Sequence, residues 1–252
     1  MLRILMLVAL WAAPMAAQRS AILVGVDEGG RVRPIARIDG RAWSPTCEAP
    51  PRGTIRGTAQ RPVLVVTGDA ATEAVRYVPR GGVAWRQVEP IVRRVFLLQE
   101  RLEKVAPAIL VDIPTDIESI ATSEEPATRP IYYFTASKTI PNSRAIDLNV
   151  DGGGDPRGDL RIDVVGWVRT GAAGAGDKNY SLGTNTTLNW EQADDRRSVA
   201  RRTQLIPVGI VRIGDTAVWV MQGRAGDSTW FSLYDVSIRG VKMVARSDPQ
   251  QC

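Results

Sequence analysis

Not one histidine occurs among the 252 residues. That absence removes the Ser-His-Asp triad, the Cys-His pair and the usual His-containing zinc and non-haem iron sites. Cysteine is nearly as scarce, with only Cys47 and Cys252. If these two are paired, thiol catalysis and thiolate metal sites are lost as well. Lysine is confined to Lys104, Lys138, Lys178 and Lys242, so the formal charge of +5 is carried almost wholly by arginine. This mild excess is spread along the chain, whereas nucleic-acid recognition wants a concentrated basic face, so no nucleic-acid partner is expected. Nor does any apolar run reach the roughly 20 residues of a transmembrane helix. The chain lacks a repeat of roughly 20 to 50 residues, which argues against propellers and solenoids. The chemistry left open is that of carboxylates, of Ser-Lys or Tyr, and of metals with oxygen ligands.

What is present begins with a leader. Arg3 precedes an apolar run from Ile4 to Ala13 and small residues up to Ala17, the layout of a secretory signal peptide spanning 1–17. Its removal takes away Arg3, lowering the formal charge from +5 to +4, and predicts an exported protein, periplasmic or extracellular. In such a compartment Cys47 and Cys252 read as a disulfide, the alternative being two free thiols. Closing so long a loop contributes on the order of 5 kcal/mol in the chain-entropy model.

Patterning predicts a mainly β chain. Residues 21–43 hold apolar runs broken by Asp27-Glu28-Gly29-Gly30 and Asp39-Gly40, which predicts strands joined as hairpins. The order Pro34, Ala36, Asp39, Gly40, Trp43 resembles that of uncharacterised exported bacterial proteins near their mature N-terminus. The resemblance extends weakly to IYYFTASKTIP and VVGWV; it implies export and a shared fold, and no activity. Pro62–Thr67 predicts a buried strand, and Tyr77–Trp85 a short strand around Gly81-Gly82. Val88, Ile91, Val92, Val95, Phe96, Leu102 and Val105 predict a helix over 88–105, with Pro90 in its first turn. Ile109–Ile113 reads as a strand. Thr115 and Glu118 have capping-box spacing for a short helix through Ile120. Residues 122–130 read as a loop at the boundary between two regions, 18–125 and 126–252, of one continuous globular unit. Strands follow over 131–141, 160–170 and 186–190, then over 204–222 around Gly214-Asp215 and over 229–245 around Arg239-Gly240.

Few motifs carry chemistry. Asp147, Asn149, Asp151 and Asp155 form D-x-N-x-D-G-x-x-D, a spacing that can wrap oxygens around Ca²⁺ while Gly152 permits the bend. The loop resembles those of EF-hands and of integrin-type FG-GAP repeats. It departs from them in having Gly158 at the twelfth position and Val150 where glycine is usual. The competing reading is a Gly-rich hairpin connection with solvated aspartates. Asp112, Asp116 and Glu118 could supply a glycosidase acid and base, or be surface and capping residues. Thr135-Ala-Ser-Lys138 has Ser/Thr-x-x-Lys spacing, but a strand sends its ends to opposite faces. Gly171, Gly174 and Gly176 reverse the order of a phosphate loop and precede no helix. Tyr132, Tyr133, Trp167, Trp190, Trp219 and Trp230 read as core, or as a binding platform if exposed together.

The expected fold is therefore α+β, mainly β: an antiparallel sandwich or curled sheet with one amphipathic helix packed on it. The expected function is a non-catalytic binding or structural module of the cell envelope, with Ca²⁺ as a candidate stabilising ion and an envelope protein or a glycan as partner. The alternative is a carboxylate-dependent enzyme acting on glycans.

Overall fold

The computed structural model describes residues 21–40, 42–50, 63–102, 113–124, 130–141, 159–170, 181–191 and 203–247. Its strands are β1 (Ile22–Asp27), β2 (Val32–Asp39), β3 (Ala42–Pro45), β4 (Val63–Val66), β5 (Ala71–Glu73), β6 (Val75–Tyr77), β7 (Asp116–Ser123) and β8 (Ile131–Ile140). They continue with β9 (Asp159–Arg169), β10 (Ser181–Glu191), β11 (Gln204–Ile213), β12 (Thr216–Ala225), β13 (Ser228–Ser237) and β14 (Gly240–Ser247). The one helix among the described residues is α1 (Val83–Leu102), and no helix there is long and apolar enough to cross a membrane.

The strands form three antiparallel sheets, ordered β3-β2-β1-β4, β10-β9-β8-β7-β6 and β14-β13-β12-β11-β5. Tight turns set much of this register. β11 and β12 pair Ile213 with Thr216 around Gly214, and β12 and β13 pair Ala225 with Ser228 around Gly226. Both glycines hold φ +57, a left-handed backbone that a side chain disfavours.

Three apolar interfaces stack these pieces into four layers. Trp85, Val88, Val92, Val95 and Phe96 of α1 cover one face of the β6–β10 sheet, against Ile120, Phe134, Ile162 and Val164. The opposite face of that sheet meets the β5/β11–β14 sheet through Tyr133, Trp167, Ile210, Trp219 and Met221. The far face of the second sheet packs on β1–β4 through Val24, Val26, Ile35, Val218, Val220 and Phe231. The layer order is helix, five strands, five strands, four strands, and the two middle sheets are buried on both faces. Hence β8 is buried along almost its whole length rather than at alternate positions. The expected α+β, mainly β sandwich with one packed helix is the fold observed.

The two five-stranded sheets are tied at both edges. Only Ala74 separates β5, which pairs with β11, from β6, which pairs with β7, so one extended segment crosses between sheets. Buried Glu73 secures the crossing by accepting a 2.5 Å hydrogen bond from Arg212 Nε on β11. At the other edge β10 approaches β14 so closely that a Cβ on Gly183 would lie 2.8 Å from Val241 Cβ.

Local departures from the expected elements have physical causes. The helix begins at Val83 rather than Val88, where Arg86 N donates to Gly82 O at 3.0 Å. Pro90 therefore sits inside the helix, and no strand spans Gly81-Gly82. Glu89 compensates locally, accepting from Trp85 Nε1 at 3.0 Å and pairing with Arg93 at 2.8 Å. The segment expected as a capped helix through Ile120 is strand β7, which also takes in Thr122 and Ser123. β10 starts at Ser181, earlier than the strand expected from Thr186. The strand expected over 109–113 lies outside the described residues except for Ile113.

One ion pair lies beneath the helix. Lys138 Nζ on β8 sits 2.5 Å from Glu100 Oε1 on α1, with side chains 2% and 4% exposed, and over the Phe96 ring at 5.5 Å. Lys138→Met alone strands the buried carboxylate and is expected to cost about 3–5 kcal/mol in chemical unfolding. Adding Glu100→Leu is expected to recover most of that loss. Burial also raises the Tyr133 pKa well above its usual value, with neighbouring Tyr234 and Tyr77 adding to the shift. Because the folded value is the higher one, this ring contributes fully below the ordinary tyrosine pKa of about 10 and loses its contribution as pH rises through the raised value. Spectrophotometric titration is expected to show phenolate appearing above pH about 10 in step with loss of tertiary structure.

Candidate functional site

Where the two five-stranded sheets diverge, a cleft of about 170 Å³ opens between them. One wall comes from β7, β8 and β9, with Glu118, Ser119, Thr135, Arg161 and Asp163. The other comes from the start of β11, with Gln204, Leu205, Ile206 and Pro207, while Val165 and Tyr77 also line the space.

A bulge in β7 creates the polar wall. Ile117 pairs with Ala136 and Ser119 with Thr135, leaving Glu118 as the extra residue. Ile117 and Ile120 both pack under the helix, so the two residues between them, Glu118 and Ser119, turn together toward the cleft. Strand alternation on β9 does the rest. Arg161 and Asp163 share a face with Val165 and Trp167, and the apolar seam of that face gives way to charge toward the end of the sheet.

The polar groups are bound to one another. Arg161 donates from Nη2 to Glu118 Oε1 at 2.5 Å and from Nε to Asp163 Oδ1 at 2.8 Å. Ser137 Oγ donates to the same Glu118 oxygen at 2.9 Å, and Asn189 Nδ2 reaches Asp163 Oδ2 at 3.4 Å. The Ser119 and Thr135 hydroxyls lie 2.7 Å apart. Across the cleft, Tyr133 Oη donates to Leu205 O at 2.7 Å and pins the apolar wall to the polar sheet. A second bulge, at Val208 between the Pro207 and Gly209 pairings, follows that wall.

Chemically, this is an array of held acceptors and hydroxyls. Two carboxylates share one guanidinium.

Of the residues singled out in the sequence, Glu118 and Thr135 enter the cleft. Lys138 lies on the opposite face of β8 from Thr135, under the helix. Asp116 is exposed and pairs with Arg80 at 3.5 Å. Asp112 and the calcium-type set Asp147, Asn149, Asp151 and Asp155 lie outside the described residues, as do Gly171, Gly174 and Gly176. Among the described residues no group of three or more His, Cys, Asp or Glu is placed to hold a metal. Tyr132, Tyr133, Trp167 and Trp219 are buried and belong to the core; Trp230 is partly buried with Arg246 over its ring at 4.6 Å, and the Trp190 side chain lies outside what is described. Cys47 is described and is not a free thiol; Cys252 lies outside the described residues. Arg161 and Asp163 were absent from the sequence-based candidates, yet two charges on the core-facing side of an apolar strand were a usable signal.

Searches against protein-family models, curated proteins and solved structures find no match for the chain.

Arg161→Met removes the shared counter-ion. With Glu118 partly in solvent, the expected loss is about 1–2 kcal/mol in the unfolding free energy. Thr139, which pairs with Arg161 but lies outside the cleft lining, is the control: Thr139→Ser is expected to change stability by less than about 0.5 kcal/mol.

Proposed function

We propose that this chain is an exported, non-catalytic binding or structural module of the bacterial cell envelope, with the inter-sheet cleft as its binding site. The observation that carries this reading is the clamp of Glu118 and Asp163 on Arg161, which presents fixed hydrogen-bonding groups to the cleft. The leader-like residues 1–17 support export. The same reading pairs Cys47 with Cys252, supported by Cys47 not being a free thiol. Calcium bound by Asp147, Asn149, Asp151 and Asp155 is proposed as a stabilising ion on the strength of their spacing alone.

A second reading, a carboxylate-dependent glycan-active enzyme, is favoured by one observation: Glu118 and Asp163 line one concave site. Incubation with a panel of envelope and plant polysaccharides separates the two. The binding module is expected to release no reducing ends above the blank. Turnover that disappears in both Glu118→Gln and Asp163→Asn would establish the enzyme instead.

The calcium proposal has its own test. The thermal midpoint is expected to rise in excess Ca²⁺ relative to chelator, by the equivalent of about 2.7 kcal/mol at a hundredfold excess over Kd. Mg²⁺ is expected to give no rise, and Asp151→Ala to abolish the Ca²⁺ effect. Equal midpoints with Ca²⁺ and chelator would dismiss the ion.

A further inference from the structure

Building on the reading of the cleft as a binding site, we infer that its ligand is a single uncharged sugar ring. Size is the first constraint. The volume of about 170 Å³ is close to the roughly 150 Å³ cavity that accepts one benzene, and well below the roughly 300–1,000 Å³ of pockets for larger ligands. A hexopyranose is larger than benzene, so its ring would seat in the cleft with some hydroxyls left at the open mouth, and an oligomer would have to continue outside it.

The distribution of polarity is the second constraint. A pyranose carries hydroxyls around its rim and C–H bonds on its faces, and each hydroxyl can both donate and accept. The cleft has the matching asymmetry. Carboxylates and the Ser119–Thr135 hydroxyl pair dominate one wall, beside Ala136 and Val165, while Leu205, Ile206 and Pro207 form the apolar part of the other, beside Thr203 and Gln204. The half-exposed Tyr77 ring adds an aromatic face at the rim, suited to C–H contact. The Ser119 and Thr135 hydroxyl hydrogens can rotate, so this pair can present a donor or an acceptor to an incoming hydroxyl.

Charge is the third. An anion would face Glu118 and Asp163, and a cation would have to approach beside Arg161 or displace it from both carboxylates. A neutral polyol avoids either conflict. It also meets acceptors already held by Arg161, Ser137 and Asn189, so little ordering accompanies binding. For a ligand this small the expected affinity is on the order of millimolar.

The test is an amide-resolved NMR titration of the ¹⁵N-labelled full chain with methyl glucopyranoside, methyl galactopyranoside and methyl mannopyranoside. Glucosamine and glucuronate serve as the cationic and anionic arms. At least one neutral glycoside is expected to move the amides of Ser119, Thr135 and Leu205 saturably. Its Kd is expected to rise about tenfold or more in both Thr135→Val and Tyr77→Ala, with each variant's spectrum otherwise native. Tyr77→Ala alters an exposed rim residue, so it remains informative should Thr135→Val fail to fold. The inference is overturned if none of the neutral glycosides moves these amides, if Tyr77→Ala binds like the parent, or if a charged arm binds more tightly. Such a failure leaves the binding-module reading in place; that reading fails separately, by release of reducing ends.

Discussion

Everything in this fold hangs on the seam between its two five-stranded sheets. Trp167 is the centre of that seam, with Tyr133 at 5.2 Å, Tyr234 at 4.9 Å and Trp219 at 6.4 Å between ring centroids. The tilted and edge-on angles are those the ring quadrupoles favour, adding about 0.5–1.5 kcal/mol per pair beyond burial of area. Because Tyr133 and Trp167 come from one sheet and Trp219 and Tyr234 from the other, the cluster fixes the distance between the sheets. The crossing at Ala74 and the close approach at Gly183 fix their edges. The helix and the four-stranded sheet can then each cover an outer face.

The cleft is a consequence of the same arrangement. Where large rings fill the gap, the sheets are sealed; where the inner face of β8 and β9 changes to Thr135, Asp163 and Arg161, less apolar surface is left to draw them together. The Tyr133 hydroxyl marks the transition, with its ring in the seam and its oxygen on Leu205 O at the apolar wall. Polar groups at this depth must be satisfied, and Arg161, Ser137 and Asn189 satisfy them. The resulting cleft is held in shape by its own hydrogen bonds before any ligand arrives.

Much of the fold was legible because local signals agreed with tertiary ones. The apolar stripe of α1 and the Gly214-Asp215 turn each have a single reading, and the structure follows it. The structure departs from the local pattern where that pattern has two readings. Ile117 and Ile120 are spaced as on a helix, and Thr115 with Glu118 imitates a capping box. Yet the spacing of the isoleucines comes from a bulge that turns Glu118 and Ser119 to the same side of a strand. β10 was only partly visible because SLGTNTTLNWE has weak apolar alternation; its partner β9, rather than its own pattern, holds it in the sheet. As for the site, Glu118 and Thr135 each stand out in the sequence for an unrelated reason, a capping-box spacing and a Ser/Thr-x-x-Lys spacing. Their meeting with Arg161 and Asp163 depends on the pairing of β7, β8 and β9, which no spacing within one strand contains.

The seam makes the two five-stranded sheets one cooperative unit. Native-state hydrogen exchange under increasing denaturant tests it most directly, by comparing amides of β8 and β9 with those of β12 and β13. The account predicts that both sets exchange only through global unfolding, with the same free energy and the same denaturant dependence. Separate free energies, with β11–β14 opening while β7–β10 and the helix stay protected, would contradict it.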